Sequence, residues 1–285
     1  MKPEVELKIT AYFRRLPQRV FRHGDLSTIL MLERERWKAG SLGVERLKDF
    51  LLDQSILSEA EFVSSKYPPI VRYVRGDPST HELATSLRPN SYLSHRTALE
   101  LHGLEKPAST IYTNQEQAPK KSAGEITQAS VNRAFQSKQR RSRYIFKYGG
   151  NEFILISGKN TNRAGVVRMK LANGSVVDCA SLERTLIDIV VRPAYAGGLE
   201  RVAAVYKAAA SRVRIDEMIR TLSRLNYLYP YQQSIGFLLE RAGRPQNDLA
   251  KLKSFVSGLD FFLDYGLSNP AYDQRWRIFY PPNCF

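Results

Sequence analysis

The stretch K-Y-P-P-I-V-R-Y-V-R-G-D-P-S, Lys66 to Ser79, decides how the front of this chain is read. Pro68-Pro69 forbids helix, because each ring removes a backbone donor and forces the preceding residue out of the helical region. Ile70 to Val74 then reads as a strand, with Arg72 and Arg75 near or beyond its end, and Gly76-Asp77-Pro78-Ser79 as a linker. Three helices precede it. Val5, Ile9, Tyr12, Phe13 and Leu16 recur at helical spacing until Pro17 stops them. Asp25 caps a second helix carrying Leu26, Ile29 and Leu30, and Gly40, Ser41 and Gly43 break it after a densely charged end. A third helix holds Val44, Leu47 and Leu51 on one face and Glu45, Arg46, Lys48 and Asp49 on the others. Three helices and then a strand flanked by basic residues is the order of a winged helix-turn-helix, so residues 1–78 are predicted to form a DNA-binding domain.

Residues 79–285 read as a second, mixed domain. Helices are expected over Thr80–Leu87, Ser94–His102 and Thr127–Gln136, and a strand over Ser109–Thr113. A polar loop from Asn114 to Gly124 carries Pro119 and two lysines. Strands follow over Tyr144–Tyr148, Glu152–Ser157, Gly165–Leu171 and Ser175–Val177. Gly149-Gly150 and Asn173-Gly174 sit between them as hairpin turns, which predicts an antiparallel meander. The rest reads helical over Leu182–Val191, Leu199–Ala210, Asp216–Leu225, Gln232–Ala242 and Leu249–Phe262, with an aromatic tail (Trp276, Phe279, Tyr280, Phe285) docked on this body. The expected fold class is α+β: an N-terminal winged helix, then an antiparallel sheet backed by a helical bundle.

Net charge is +15, from 43 Lys and Arg against 28 Asp and Glu, which favours polyanionic partners. The excess is concentrated: residues 89–170 hold 14 basic and 5 acidic residues, whereas residues 1–88 hold 15 and 12. Cys179 and Cys284 are the only cysteines, so neither a disulfide framework nor structural zinc is expected. No apolar run resembles a membrane span or a secretory signal, and the expected location is the cytoplasm.

Three blocks resemble one family. S-H-R-T-A-L-E-L-H-G-L, Ser94 to Leu104, is similar to the first block of AbiEi-type antitoxins of type IV toxin–antitoxin systems. S-L-E-R-T-L-I-D-I-V-V-R-P-A-Y-A-G-G, Ser181 to Gly198, resembles their more specific signature, and a third block runs from Tyr229 to Gly243. The resemblance covers roughly Arg72 to Gly243. It implies a protein whose N-terminal winged helix represses its own operon and whose larger domain counters a nucleotidyltransferase-like toxin encoded next door. It implies no cofactor and no covalent chemistry by this chain. The expected partners are double-stranded DNA at inverted repeats of its own promoter, bound as a homodimer on DNA, and the toxin; no membrane is expected.

On a recognition helix starting near Ser41, Arg46 and Lys48 are candidates for base or phosphate contact, and Ser41 for phosphate. Lys66, Arg72 and Arg75 would sit at the wing. A solvated face of mixed charge is the competing reading, favoured by Glu45 and Asp49. A second basic stretch, Arg133, Lys138, Arg140, Arg141 and Arg143, could meet an acidic toxin surface, extend the DNA footprint, or form a solvated rim. Two rival functions stay open: a ligand-sensing regulator without a toxin, and a metal-dependent nuclease built on Asp178, Glu183 and Asp188. The nuclease reading lacks a lysine after the second acid; Arg184 and Arg192 stand there instead, so an internal ion-pair network is expected. His95 and His102 share a helix face but lack converging ligands, and read as packing residues.

Overall fold

The computed structural model describes residues 1–118 and 125–284. Pro119, the two lysines after it and Phe285 lie outside the described residues. The chain is α+β, with α-helices and three sheets.

The front unit runs α1 (Pro3–Arg15), β1 (Val20–Phe21), α2 (His23–Trp37), α3 (Val44–Asp53), β2 (Ser58–Phe62) and β3 (Ile70–Val74). α1 begins on Pro3, carries Glu4 and Glu6 in its first turn and ends on Arg14 and Arg15, so charge opposes the helix dipole at both ends. Val5, Ile9 and Phe13 of α1 close over Leu26, Leu30 and Trp37 of α2 and Leu47 and Leu51 of α3. Each such side chain contributes roughly 1.5–3 kcal/mol on burial. The strands form an antiparallel sheet in the order β1-β3-β2, of which sequence reading found only β3. β1 has two residues, too few for a pattern, and β2 alternates two outward glutamates with Ala60 and Phe62.

Apart from the outward glutamates of β2, that sheet buries side chains on both faces. Successive strand residues point to opposite sides. Phe21 and Tyr73 therefore enter the helical layer, while Val20, Ala60, Phe62 and Val74 turn the other way. There they meet Leu83, Ala84 and Leu87, at and just beyond α4 (Thr80–Ser86), together with Phe146 and Phe153 of the body. Phe62 packs edge-on against Phe153 at 5.1 Å and lies 4.8 Å from Tyr148. Just past β2, Val63 pairs with Lys147 through two backbone hydrogen bonds of 3.1 and 2.8 Å. Residues on both sides of position 78 thus share one apolar core.

The body holds β4 (Tyr92–Leu93), α5 (His95–Leu101), β5 (Thr110–Glu116), α6 (Gln128–Gln136), β6 (Ile145–Tyr148), β7 (Asn151–Gly158), β8 (Val166–Lys170) and β9 (Val176–Ala180). They build a six-stranded sheet in the order β6-β7-β5-β4-β9-β8. The sheet is mixed, which corrects the antiparallel meander. Gly149-Gly150 and Asn173-Gly174 do make hairpins, but these are the outer pairs β6–β7 and β8–β9. Between them β7 runs parallel to β5 and β9 parallel to β4. A parallel pair needs a long crossover, and the chain between Glu116 and Asn151, including α6, supplies one. The two-residue β4 gave no sequence signal.

The remainder is α7 (Leu182–Val191), α8 (Leu199–Ala209), α9 (Ile215–Leu225), α10 (Tyr231–Arg241) and α11 (Gln246–Lys253), then β10 (Phe261–Phe262), β11 (Ala271–Asp273) and β12 (Ile278–Tyr280). The helix expected to reach Phe262 ends at Lys253. Beyond it the amide and hydroxyl of Ser257 donate to Oε1 of Gln233, at 3.0 and 2.8 Å, and redirect the chain into β10. Trp276 is fully buried in the tail, its ring laid on Gly236 of α10, where a Cβ would overlap the indole. No described helix is long and apolar enough to cross a membrane.

Candidate nucleic-acid interface

α2 and α3 are joined by a turn in which Lys38 and Gly40 take left-handed backbone angles and Leu42 is buried. Ser41 lies exposed on this turn and Arg46 exposed on the first turn of α3. Arg46 makes no ion pair among the described residues. Lys48 does: its ammonium lies 2.6 Å from Glu45 and 3.4 Å from Asp49. Glu45 also accepts from Nε2 of His23 at 2.7 Å, which stitches the start of α2 to α3. The hydrogen bond to Glu45 pushes the Lys48 ammonium upward, and the same bond holds Glu45 below the usual carboxylate range. α3 carries Glu45, Asp49 and Asp53 against Arg46 and Lys48, so its own charge does not attract a phosphate backbone.

Arg72 and Arg75 serve the fold. Arg72 is half-buried; its Nε donates to the carbonyl of Ser86 at 3.0 Å and Nη2 to that of Leu87 at 3.0 Å, tying β3 to the end of α4. Burial pushes its guanidinium down to about 10. Arg75 donates to the carbonyls of Arg14, at 2.8 Å, and Leu16, closing the open end of α1. Both were expected at a free wing. The hairpin tip is instead docked on the body: Tyr67 stacks on Tyr144 at 4.4 Å, and Arg88 lies over the Tyr144 ring at 4.5 Å. Lys66, beside Tyr67, stays exposed.

This docking brings Lys66 to the second basic stretch. α6 ends near Arg133, and the chain then runs extended towards β6. Its inward residues are pinned. Oε1 of Gln139 accepts from the Ala194 amide at 3.1 Å, the Ser142 amide donates to the Tyr195 hydroxyl at 2.6 Å, and the Ser142 hydroxyl donates to the Leu155 carbonyl at 2.6 Å. Arg133, Lys138, Arg140, Arg141 and Arg143 are left exposed, as is Lys147, and none has an ion pair among the described residues. No acidic residue occurs from Ile126 to Asn151. Sequence reading found this strip from its charge but could not see that the hairpin tip joins it.

The acids of the nuclease reading face separate arginines. Asp178 lies 2.6 Å from Arg163, Glu183 3.2 Å from Arg214, and Asp188 2.8 Å from Arg184. The expected network therefore holds for Arg184 and Asp188, with Glu183 paired elsewhere. His95 is buried with Nδ1 2.9 Å from the Ser94 hydroxyl, and burial holds its imidazole well below the usual range. Nε2 of His102 lies 2.8 Å from the Ala180 carbonyl.

No family model matches the chain, and no curated protein does. Among solved structures, the RV2827C protein from Mycobacterium tuberculosis has a similar fold. The TM-score is 0.56 at 13% sequence identity, over 98% of this chain and 92% of that one. At that identity the likeness is one of fold.

Proposed function

We propose that this protein is a DNA-binding antitoxin that represses its own promoter and counteracts a nucleotidyltransferase-like toxin encoded beside it, acting by binding alone. The observation that carries the reading is the front unit: helix, strand, two helices and a hairpin, with the strands in the order β1-β3-β2. That arrangement is compatible with a winged helix-turn-helix, and in this reading α3 is the groove-reading helix. The antitoxin half of the reading rests on the resemblance of the S-L-E-R-T-L-I-D block, whose Ser181 caps α7 and whose Arg184 and Asp188 form a buried pair in the fold.

Within this reading Ser41 and Arg46 contact the duplex, and Lys66 with the strip from Lys138 to Arg143 supplies charge towards phosphate or an acidic toxin surface. Arg72 contributes by tying the unit to the end of α4, and Arg75 by closing the end of α1 within it. Two copies occupy inverted repeats. The test is a gel shift on the chain's own promoter together with co-expression of the adjacent gene. A shift that Arg46→Ala weakens, and rescue of growth from the neighbour's toxicity, are expected. No shift at low salt rejects the DNA half, and no rescue rejects the antitoxin half.

A further inference from the structure

A cavity of about 630 Å³ lies between the front unit and the body. One wall is the chain around β1, with Gln18, Arg19, Arg22 and Asp25; the other is α4, the loop after it and the β8–β9 hairpin, with Glu82, Arg88 and Arg168. The volume is in the range of small-molecule sites. The lining holds four arginines and two carboxylates, and both carboxylates are engaged. Asp25 takes Arg22 at 3.0 Å and the Arg22 amide at 2.8 Å. Glu82 accepts from the Ser79 amide at 2.9 Å, the Ser79 hydroxyl at 2.8 Å and Asn173 at 3.0 Å.

Two guanidiniums of the lining, those of Arg19 and Arg168, have no acid among the described residues. Arg19 makes one long contact, 3.5 Å, to the Asp77 carbonyl. The guanidinium of Arg88 is taken by the Ser157 hydroxyl at 3.2 Å and the Tyr144 ring, neither of which lines the cavity. Arg168 is exposed, and its cross-strand neighbour Asp178 is held by Arg163. Behind the wall Arg72 is a third cation bonded only to carbonyls, one of them that of Ser86, which lines the cavity. A concave site with several cations lacking counter-ions favours a compact polyanion, and guanidiniums match phosphate oxygens with paired donors.

We propose that this cavity binds a small molecule carrying a chain of two or three phosphates, such as a nucleoside triphosphate, with Arg19 and Arg168 on its phosphates. The two walls belong to the two halves of the chain, so the occupant bridges them. Duplex DNA is the competing polyanion, but an open cleft between two walls suits a slim phosphate chain better than a convex duplex.

The experiment titrates the full-length protein, free of DNA, with inorganic tripolyphosphate and with ATP by calorimetry at about 50 mM salt, where screening is weak. Saturable binding of one equivalent is expected, with Kd raised about tenfold or more in Arg19→Gln/Arg168→Gln. The ligand-free melting temperature of that variant should be unchanged, because neither side chain makes an ion pair among the described residues. Equal affinity for both probes assigns the recognition to the phosphate chain; tighter binding of ATP adds a nucleoside subsite. No saturable binding of either probe overturns the proposal, as does unchanged binding in the variant. If the wild type ignores both probes and the variant instead loses affinity for duplex DNA, these arginines serve DNA and the cavity assignment fails, while the promoter-binding reading stands.

Discussion

The guanidinium of Arg184 lies 2.8 Å from the carboxylate of Asp188, one turn further along α7, with both side chains almost wholly buried. The remaining donors of Arg184 reach the Ala164 carbonyl at 2.6 Å and the Tyr92 hydroxyl at 3.0 Å, so the pair joins α7 to β4 and to the segment before β8. Gly165 has φ +71° and no Cβ, which lets that segment lie against the Arg184 side chain. Removing one partner strands a buried charge. Arg184→Met is expected to destabilise by about 3–5 kcal/mol, measured by urea unfolding at pH 7. Burial already pushes the Asp188 carboxyl upward, with Arg184 opposing it. Without Arg184 its folded-state pKa rises further above the unfolded value, so the variant regains stability as pH falls; a loss independent of pH contradicts this account.

Gly236→Val should destabilise by a similar mechanism of misfit. The β-carbon would enter the space of the Trp276 ring, which Gln233 also fixes by donating to the Trp276 carbonyl at 3.0 Å. Overpacking costs typically about 1–3 kcal/mol. A companion change, Trp276→Leu, should restore part of the loss, which a thermal melt of the double variant reads directly.

Glu100 gives a pH dependence. Burial pushes its carboxyl up to about 7, against the pull of Arg96 at 3.7 Å. A folded-state value above the unfolded one means stability that is full below the ordinary carboxylate range and is lost as pH rises through 7. Glu100→Gln should therefore be nearly neutral at pH 4.5 and stabilising by about 1–2 kcal/mol at pH 8, since one pKa unit corresponds to about 1.4 kcal/mol and part of the shift is screened. Melting temperatures of both proteins across pH 4.5–8 check it.

What could be read from the sequence follows from what is local. Helices with period 3.6, the proline stop before β3, and the glycine turns of the two hairpins depend on neighbours along the chain. The pairing of β5 with β7, and of Leu93 with Cys179, depends on which strands meet after α6 and α5, and the sequence contains no sign of it. The same division holds at the candidate interface. The basic strip was visible as charge, whereas the roles of Arg72 and Arg75 were hidden. A guanidinium near a strand end looks alike whether it faces a groove or the carbonyls of Leu87 and Leu16.

The core shared across position 78 predicts that the two halves do not separate cleanly. Residues 79–285 alone would expose Phe146, Phe153 and Leu83, which Phe62 and Ala60 now cover. That fragment should bind a hydrophobic dye and melt well below the full chain. In the full chain Phe62→Ala should cost about 3–5 kcal/mol and lower a single cooperative transition. Two independent transitions, with only the first moved, would contradict a common core.

Under the proposed promoter binding, the distribution of charge predicts two kinds of contact with DNA. α3 is close to self-neutralised, since Lys48 is held by Glu45 and Asp49, whereas Arg46 has no ion pair among the described residues and is the proposed base-reading cation. Arg46→Ala should therefore cost about 1–3 kcal/mol on the promoter and little on a scrambled duplex. Arg140, Arg141 and Arg143 have no acidic partner among the described residues, and each phosphate they neutralise releases counterions. Changing all three to glutamine should weaken promoter and scrambled duplex alike, and reduce the slope of log affinity against log salt by about 2.7, at about 0.9 per phosphate contact. Fluorescence anisotropy over a salt series measures both effects. If the slope is unchanged while the triple variant no longer protects cells from the neighbouring gene, the strip faces the toxin, and the duplex is held by the front unit alone.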